Sequence, residues 1–341
     1  MIGAQPESLR SPRPIGGRHR LRRMIYRPEF GALLAALIVY AFFAWGTRGN
    51  GFVTLNGTAS WMNSTAELGI LAVPVALLLI GGEFDLSIGA MVGMTSIVLA
   101  AGTTHYGLPI GISILIAVLV GVAVGLINGI TTVKTGLPSF IVTLGMMMAI
   151  LGTSLGLARA IVGSPIVSLN TEGFFEGLFA SRWRQFNVSI LWWFGVAGLA
   201  TWVLARTRTG NWILATGGDT QSAREAGVPT DRVKIGLFVA VSLGAVLVGI
   251  IQALEFNSGD VSRGTAFIFN TIIASVIGGV LLRGGYGSAF GAVLGAITFG
   301  VVSVGIFYTG WETDWAQLFL GILLFAAVLA NNFFRKLALS R

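Results

Sequence analysis

The side chains able to do chemistry gather in three short polar segments of an otherwise apolar sequence. The first is Gly81-Gly82-Glu83-Phe84-Asp85-Leu86-Ser87-Ile88-Gly89, which brings two carboxylates to the edge of an apolar run. Carboxylates at such a boundary must face water or polar partners. Asp85, two residues before Ser87, is placed to cap the following helix, whose free N–H groups attract a carboxylate. The functional alternative is an acidic group on a polar pathway. The second segment runs Gly125-Leu-Ile-Asn128-Gly129, then Lys134, Gly136 and Pro138-Ser139-Phe140-Ile-Val-Thr143-Leu-Gly145. Asn128, near the end of an apolar run, must find a hydrogen-bond partner inside a bundle. Pro138 suits the opening of a helix, where its missing N–H is no loss. Thr143 can bond its own backbone.

The third segment, residues 206–234, contains Gly217-Gly218-Asp219-Thr220-Gln221-Ser222-Ala223-Arg224-Glu225-Ala226-Gly227. Asp219 or Thr220 can cap a short helix that Gly227 then stops. A small polar helix with small residues on one face is suited to a groove on another protein. The alternative is a connector lying on the membrane surface, for which its apolar content is low.

Several chemistries have no residues to perform them. There is no G-x-x-x-x-G-K-[ST] loop for nucleotide phosphates and no H-E-x-x-H. The chain has no cysteine and only two histidines, His19 and His105, which leaves no thiolate chemistry and no histidine metal site. Gly152-Thr153-Ser154-Leu155-Gly156 fits the G-x-S-x-G form, but a nucleophile elbow needs a strand-to-helix turn and a base. It lies in an apolar helical run, so helix packing is expected and no catalytic residue is assigned.

The elements that must position these segments are membrane spans. The 341 residues are 54% hydrophobic and only 11% charged, with mean hydropathy +0.82 and net charge +8. Soluble domains carry about 25% charged residues, so the expected fold is an all-α polytopic membrane protein. With about 20 apolar residues per span, ten spans are predicted: 31–46, 62–80, 87–104, 108–130, 139–158, 188–205, 235–256, 267–282, 287–308 and 316–334. The domain reading is a disordered basic cytoplasmic tail (1–29), a permeation domain (30–335) with the loop 206–234, and a short tail (336–341). The first apolar run has signal-peptide length, but with many spans following it is expected to stay as an anchor. Placing both termini in the cytoplasm puts 17 of the 22 Lys and Arg on that side, as the positive-inside rule requires. Positive charge so distributed speaks for a bilayer and not for nucleic acid. Glycines at spacing four (Gly121, Gly125, Gly129; Gly287, Gly291, Gly295) predict smooth helix faces for close packing. On the outer side, the loop at about 159–187 holds Glu172, Glu176 and several aromatics, a solvated rim or a docking surface.

With these segments in order, the sequence resembles the permease subunit of bacterial ABC sugar importers of the ribose-transporter type. That family shows G-G-x-D-L-S-x-G, then N-G and P-F-I-x-T-L-G, then A-x-G-x-[ND]-x-x-A-A-x-x-x-G. It closes with a glycine-rich stretch matched here by Ile277-Gly278-Gly279-Val-Leu-Leu282-Arg283-Gly284-Gly285-Tyr286-Gly287. The likeness spans roughly residues 60–335. Glu83-Phe84 replaces a single apolar residue, Ser139 is inserted between Pro138 and Phe140, and Asp219, Ser222 and Ala223 depart in part from the loop pattern. The resemblance implies an inner-membrane, multi-pass subunit that is not itself an enzyme, with no cofactor of its own. ATP would be bound by a separate ATP-binding-cassette subunit, a periplasmic sugar-binding protein would deliver a monosaccharide-like solute, and a second permease subunit, identical or related, would complete the pathway. It implies coupling to the ATPase through Gly217, Gly218, Asp219, Ala223, Arg224 and Gly227, with Asp85, Ser87, Asn128, Phe140 and Thr143 as pathway or gating candidates. The competing class is an ion-coupled secondary transporter, for which Glu67 and Glu255, in or near apolar spans, are the candidate groups.

Overall fold

The computed structural model describes residues 28–339, so the expected basic tail lies almost wholly outside the described residues. The elements run α1 (Pro28–Gly46), α2 (Leu55–Ile80), α3 (Ile88–Ala100, continued by a π-helical turn Ala101–His105), α4 (Ile110–Thr135) and α5 (Ser139–Val162). Then come β1 (Ile166–Ser168), α6 (Phe174–Phe179), β2 (Arg182–Trp183), β3 (Phe186–Asn187) and α7 (Ser189–Arg206). The chain closes with α8 (Arg208–Gly218), α9 (Thr220–Glu225), α10 (Thr230–Glu255), β4 (Ser258–Asp260), α11 (Phe267–Ile277), α12 (Ala289–Thr309) and α13 (Trp315–Leu339).

Among the described residues, eight helices are long and apolar enough to cross a membrane, and α11 and the apolar part of α13 are shorter apolar helices. Each of the ten predicted segments is therefore helical. The second starts seven residues earlier than expected, at Leu55, and the eighth ends five residues short. Helix was expected through 282, but α11 ends at Ile277 and residues 278–288 form a turn in which Gly284 and Gly285 have φ of +80° and +73°. Glycine adopts that conformation without a Cβ clash. Gly287 consequently precedes α12 and does not belong to its packing stripe. At the chain's end, α13 continues through Leu339, across most of the expected tail.

The core is built around α2 and α10, which are buried over most of their length while α4 and α5 present apolar side chains outward. The stripe on α4 does what its spacing predicted. A Cβ at Gly121 would meet Val246 Cγ2, one at Gly125 would lie 2.6 Å from Val239 Cα, and one at Gly129 2.8 Å from Ile235 Cα. Backbone thus meets backbone along the α4–α10 crossing, and Ser242 Oγ donates to the Gly121 carbonyl at 2.7 Å. Gly125→Val should therefore split this crossing; the expected result is loss of detergent-stable protein, read as the monodisperse fraction on size exclusion. Midway along α10, Gly244 leaves room for Pro74 of α2, whose Cγ would be 3.1 Å from a Cβ there. In contrast, Gly152 and Gly156 of α5 face open space while Ser154, buried between them, donates to the Ile150 carbonyl and sits 3.4 Å from Met94 Sδ. No nucleophile elbow exists there, and the two glycines make no packing within this chain.

Sequential spans run in opposite directions, so the bundle has two distinct ends. One carries α8, α9, and the turns at 81–87, 136–138 and 278–288. The other carries β1 paired antiparallel with β4 (Val167 opposite Gly259) and the β2–β3 hairpin (Trp183 opposite Phe186).

Candidate functional site

The segment after α7 folds back on itself. Thr207 caps α8 by accepting the Gly210 N–H, and Gly210 is pressed against the carbonyls of Val203 and Leu204. Asp219 then breaks the helix in extended conformation and caps α9, its Oδ1 accepting the Ser222 N–H at 2.7 Å. That bond favours the ionised form and holds the carboxyl below its ordinary value. Gly227, at φ +84°, ends the element. The cap, the short helix and the stop are those read from the sequence. The difference is that Gly217 and Gly218 lie at the end of α8, on the near side of the break, so the projecting element is only residues 219–227.

The two glycines form the root of this projection. A Cβ on Gly217 would come within 1.7 Å of the Ile80 carbonyl oxygen and 2.7 Å of the Gly285 nitrogen. One on Gly284 would lie 2.7 Å from the Gly217 carbonyl oxygen and 2.9 Å from Gly82 Cα, and one on Gly285 2.6 Å from Gly218 Cα. The Gly285 N–H donates to the Ile80 carbonyl at 2.8 Å. Three glycine pairs, 81–82, 217–218 and 284–285, thus meet as bare main chain. Sequence reasoning found each pair and missed their meeting. The available signal was that all three fall on the same predicted side of the membrane.

On the projection, Ala223 is buried against the body, while Gln221, Ser222, Arg224, Glu225 and Gly227 are exposed. Arg224 reaches the first turn of α10, with Nη2 2.5 Å from Asp231 Oδ1 and Nε donating to Thr230 Oγ1 at 3.3 Å. The guanidinium is therefore tethered within the chain, although it remains largely solvent-accessible.

Beside the root, the turn 83–87 is locked by a buried polar knot. Asp85 Oδ1 accepts the Ser87 N–H at 2.8 Å and the Ser87 hydroxyl at 2.6 Å, and Asn128 Nδ2 donates to Ser87 Oγ at 3.0 Å and Asp85 Oδ2 at 3.4 Å. The Leu86 N–H donates to Thr143 Oγ1, which itself donates to the Ser139 carbonyl, and the Phe84 N–H donates to Ser139 Oγ at 3.0 Å. Asp85 thus closes the turn onto Ser87, the residue before α3, and does not cap the helix, against the expectation from its position: its carboxylate bonds Ser87 and Asn128, and Ser87 makes no side-chain bond to the free N–H groups of the first turn. Four of the five pathway candidates, Asp85, Ser87, Asn128 and Thr143, come together here, all buried. The fifth, Phe140, is 53% exposed on the outer face of α5. None of the four lines the 390 Å³ cavity beside them, whose walls include Glu83, Pro138, Arg224, Asp231 and Lys234. Glu83, a departure from the family pattern with no role expected, pairs with Lys234 of α10 at 2.6 Å, and both side chains are largely buried.

Glu67 and Glu255 lie at the opposite end. Glu67 Oε2 accepts from Gln252 Nε2 at 2.6 Å, and Glu255 Oε1 accepts from Arg182 at 2.8 Å and from Asn187 at 2.7 Å. Both line one chamber of about 540 Å³.

Residues 57–328 match the family described as branched-chain amino acid transport system / permease component. The chain is 32% identical over 322 residues to the probable ABC transporter permease protein YphD of Escherichia coli K12, covering 94% of this chain and 95% of that protein. It is 30% identical to the fructose import permease protein FrcC of Rhizobium meliloti (81% and 78% covered) and 29% identical to the ribose import permease protein RbsC of Escherichia coli K12 (89% and 94% covered). No solved structure matches. A family match across most of the sequence, near-complete coverage of an ABC permease at this identity, and a bundle of apolar helices agree: the chain belongs to this family of transport-system permease components and is a multi-pass protein of the bacterial inner membrane.

Proposed function

We propose that the chain is the membrane-spanning subunit of an ATP-driven importer for a monosaccharide, and that residues 219–227 are the element its motor pushes. One observation carries this reading: the projection is rooted, through Gly217 and Gly218, on the ends of α2 and of the α11–α12 turn, so displacing it displaces spanning helices. The α8–α9 end, which with 335–341 holds Arg206, Arg208, Arg224, Arg232, Arg283 and Lys336, is cytoplasmic on the charge rule. ATP is bound and hydrolysed by a separate cassette subunit, a binding protein delivers solute at the β-strand end, and a second permease subunit completes the assembly. The sugar assignment follows the relatives named for fructose and ribose import; the family's description names branched-chain amino acids, so leucine belongs in any substrate panel. The mechanism is a shift between outward- and inward-open states, and it requires the motor to contact the projection differently in each.

The test is ATP-dependent uptake by the reconstituted complex carrying Arg224→Asp, alone and combined with Asp231→Arg. Arg224→Asp should lower uptake and solute-stimulated ATP hydrolysis while membrane insertion stays normal. If Arg224 works only by tethering α9 to α10, the double exchange restores both activities; if it also contacts the motor, the double exchange does not. Unchanged coupling in the single variant would remove Arg224 from the coupling element. Uptake that persists without ATP and collapses with an ionophore would instead place the chain among ion-coupled transporters.

A further inference from the structure

The chamber at the β-strand end is walled by α2, the β2–β3 hairpin, the end of α10, α11 and α12. Its volume of about 540 Å³ lies within the range of small-molecule sites, roughly 300–1,000 Å³. Two features set it apart from a lipid-filled crevice. Its polar lining is dense for a bundle of apolar helices: Asn63, Ser64, Glu67, Arg182, Asn187 and Asn270 all face it. Its charges are balanced, with Glu67 and Glu255 against Arg182 and Arg184.

The hydrogen bonds already made say what could still be bound. Glu255 is engaged by Arg182 and Asn187, and Glu67 by Gln252, so neither carboxylate is a bare anion awaiting a cation. A carboxylate has about four acceptor positions, and those left over suit hydroxyl donors. Asn187 Nδ2 donates one bond to Glu255, while its Oδ1 is buried with no partner among the described residues. Asn270, on α11, and Ser64, on α2, add donor and acceptor groups from facing walls. Phe267 and Phe299 supply an apolar wall on which the C–H face of a small ring can rest. Neutral balance, spare acceptors, amides and one apolar wall together fit an uncharged ring with several hydroxyls.

We propose that this chamber binds a monosaccharide within a single chain, as a holding site between delivery at the β-strand end and passage through the bundle. Asn187, Asn270, Ser64 and the spare oxygens of Glu67 and Glu255 read the hydroxyls; Arg182 and Gln252 position the carboxylates. This inference rests on the importer reading above.

The absence of cysteine from the sequence makes the test direct. Ser64→Cys and Asn270→Cys, each the sole cysteine of the full chain, are reconstituted with the ATP-binding subunit and binding protein. They are then exposed to a membrane-impermeant methanethiosulfonate in the presence of ribose, xylose, fructose or leucine. Both cysteines should react from the outer face, and the transported sugar should slow the reaction severalfold. In parallel, Asn270→Leu should raise the KM of sugar uptake by about three- to tenfold, the loss of one neutral hydrogen bond. If wild-type complex takes up sugar but neither cysteine is protected and KM is unmoved, the chamber is not a sugar site and the importer reading stands. Protection by leucine alone would assign the chamber to an amino acid. If wild-type complex takes up no sugar, the importer reading fails and this inference with it.

Discussion

Replacing Gly217 with alanine should abolish solute-stimulated ATP hydrolysis and uptake. The added Cβ would sit 1.7 Å from the Ile80 carbonyl oxygen, where carbon and oxygen cannot coexist, and 2.7 Å from the Gly285 nitrogen. No side chain can rotate away to relieve the clash, because the three atoms nearest that point are all main chain. The root must open, which strips the Gly285 N–H from the Ile80 carbonyl and detaches the projection from the helix ends on which it is rooted. Gly218→Ala is the control: its Cβ would find only Gly285 Cα, at 4.0 Å, so it should retain most coupling. The measurement is ATPase activity with and without solute and binding protein in proteoliposomes. Equal coupling in the two variants would mean that the root does not transmit motion.

The second large effect is expected at the buried knot. Asp85→Ala leaves the Ser87 N–H, the Ser87 hydroxyl and one Asn128 amide bond without their acceptor in a buried site. Each buried donor stripped of its partner costs about 1–3 kcal/mol, so the loss is large beside a typical stability of about 5–15 kcal/mol. The result should be a protein that inserts but melts markedly earlier in detergent, followed by loss of monodispersity on heating. Asp85→Asn keeps one acceptor oxygen and should fall between wild type and alanine. Asn128→Leu removes two donated bonds together with an amide oxygen that has no partner among the described residues, so it should destabilise less than Asp85→Ala. An alanine variant with wild-type melting would mean that water reaches the knot.

What could be read from sequence was whatever depends on local pattern. The apolar stretches gave all ten helical segments, Asp219 and Gly227 bracketed a short helix at their positions, and the α4 glycines packed as their spacing of four requires. What could not be read depends on residues far apart in the chain. Glu83 and Ser139 each looked like an isolated departure from the family pattern. In space both hold the same turn in place, Glu83 pairing with Lys234 of α10 and Ser139, at the start of α5, taking the N–H of Phe84. Glu255 finds Arg182 across 73 positions, a partnership no periodicity announces. The break at Gly278 was missed because the residues after it, Gly-Val-Leu-Leu, are apolar enough to extend a helix by composition. The positive φ of Gly279, and then of Gly284 and Gly285, reveals the turn.

Helix α10 ties these regions together. Its 26 residues form an unbroken rod of about 39 Å. Asp231 and Lys234 are fastened at one extremity, Glu255 at the other, and Gly244 bears on Pro74 close to the middle. Such an arrangement is a see-saw with its fulcrum at the proline: a tilt imposed at one tip is answered in the opposite sense at the far tip. Because equilibrium coupling is reciprocal, occupancy at the Glu255 tip would then bias the posture of the Asp231 tip as strongly as any partner bound there biases the Glu255 tip in return.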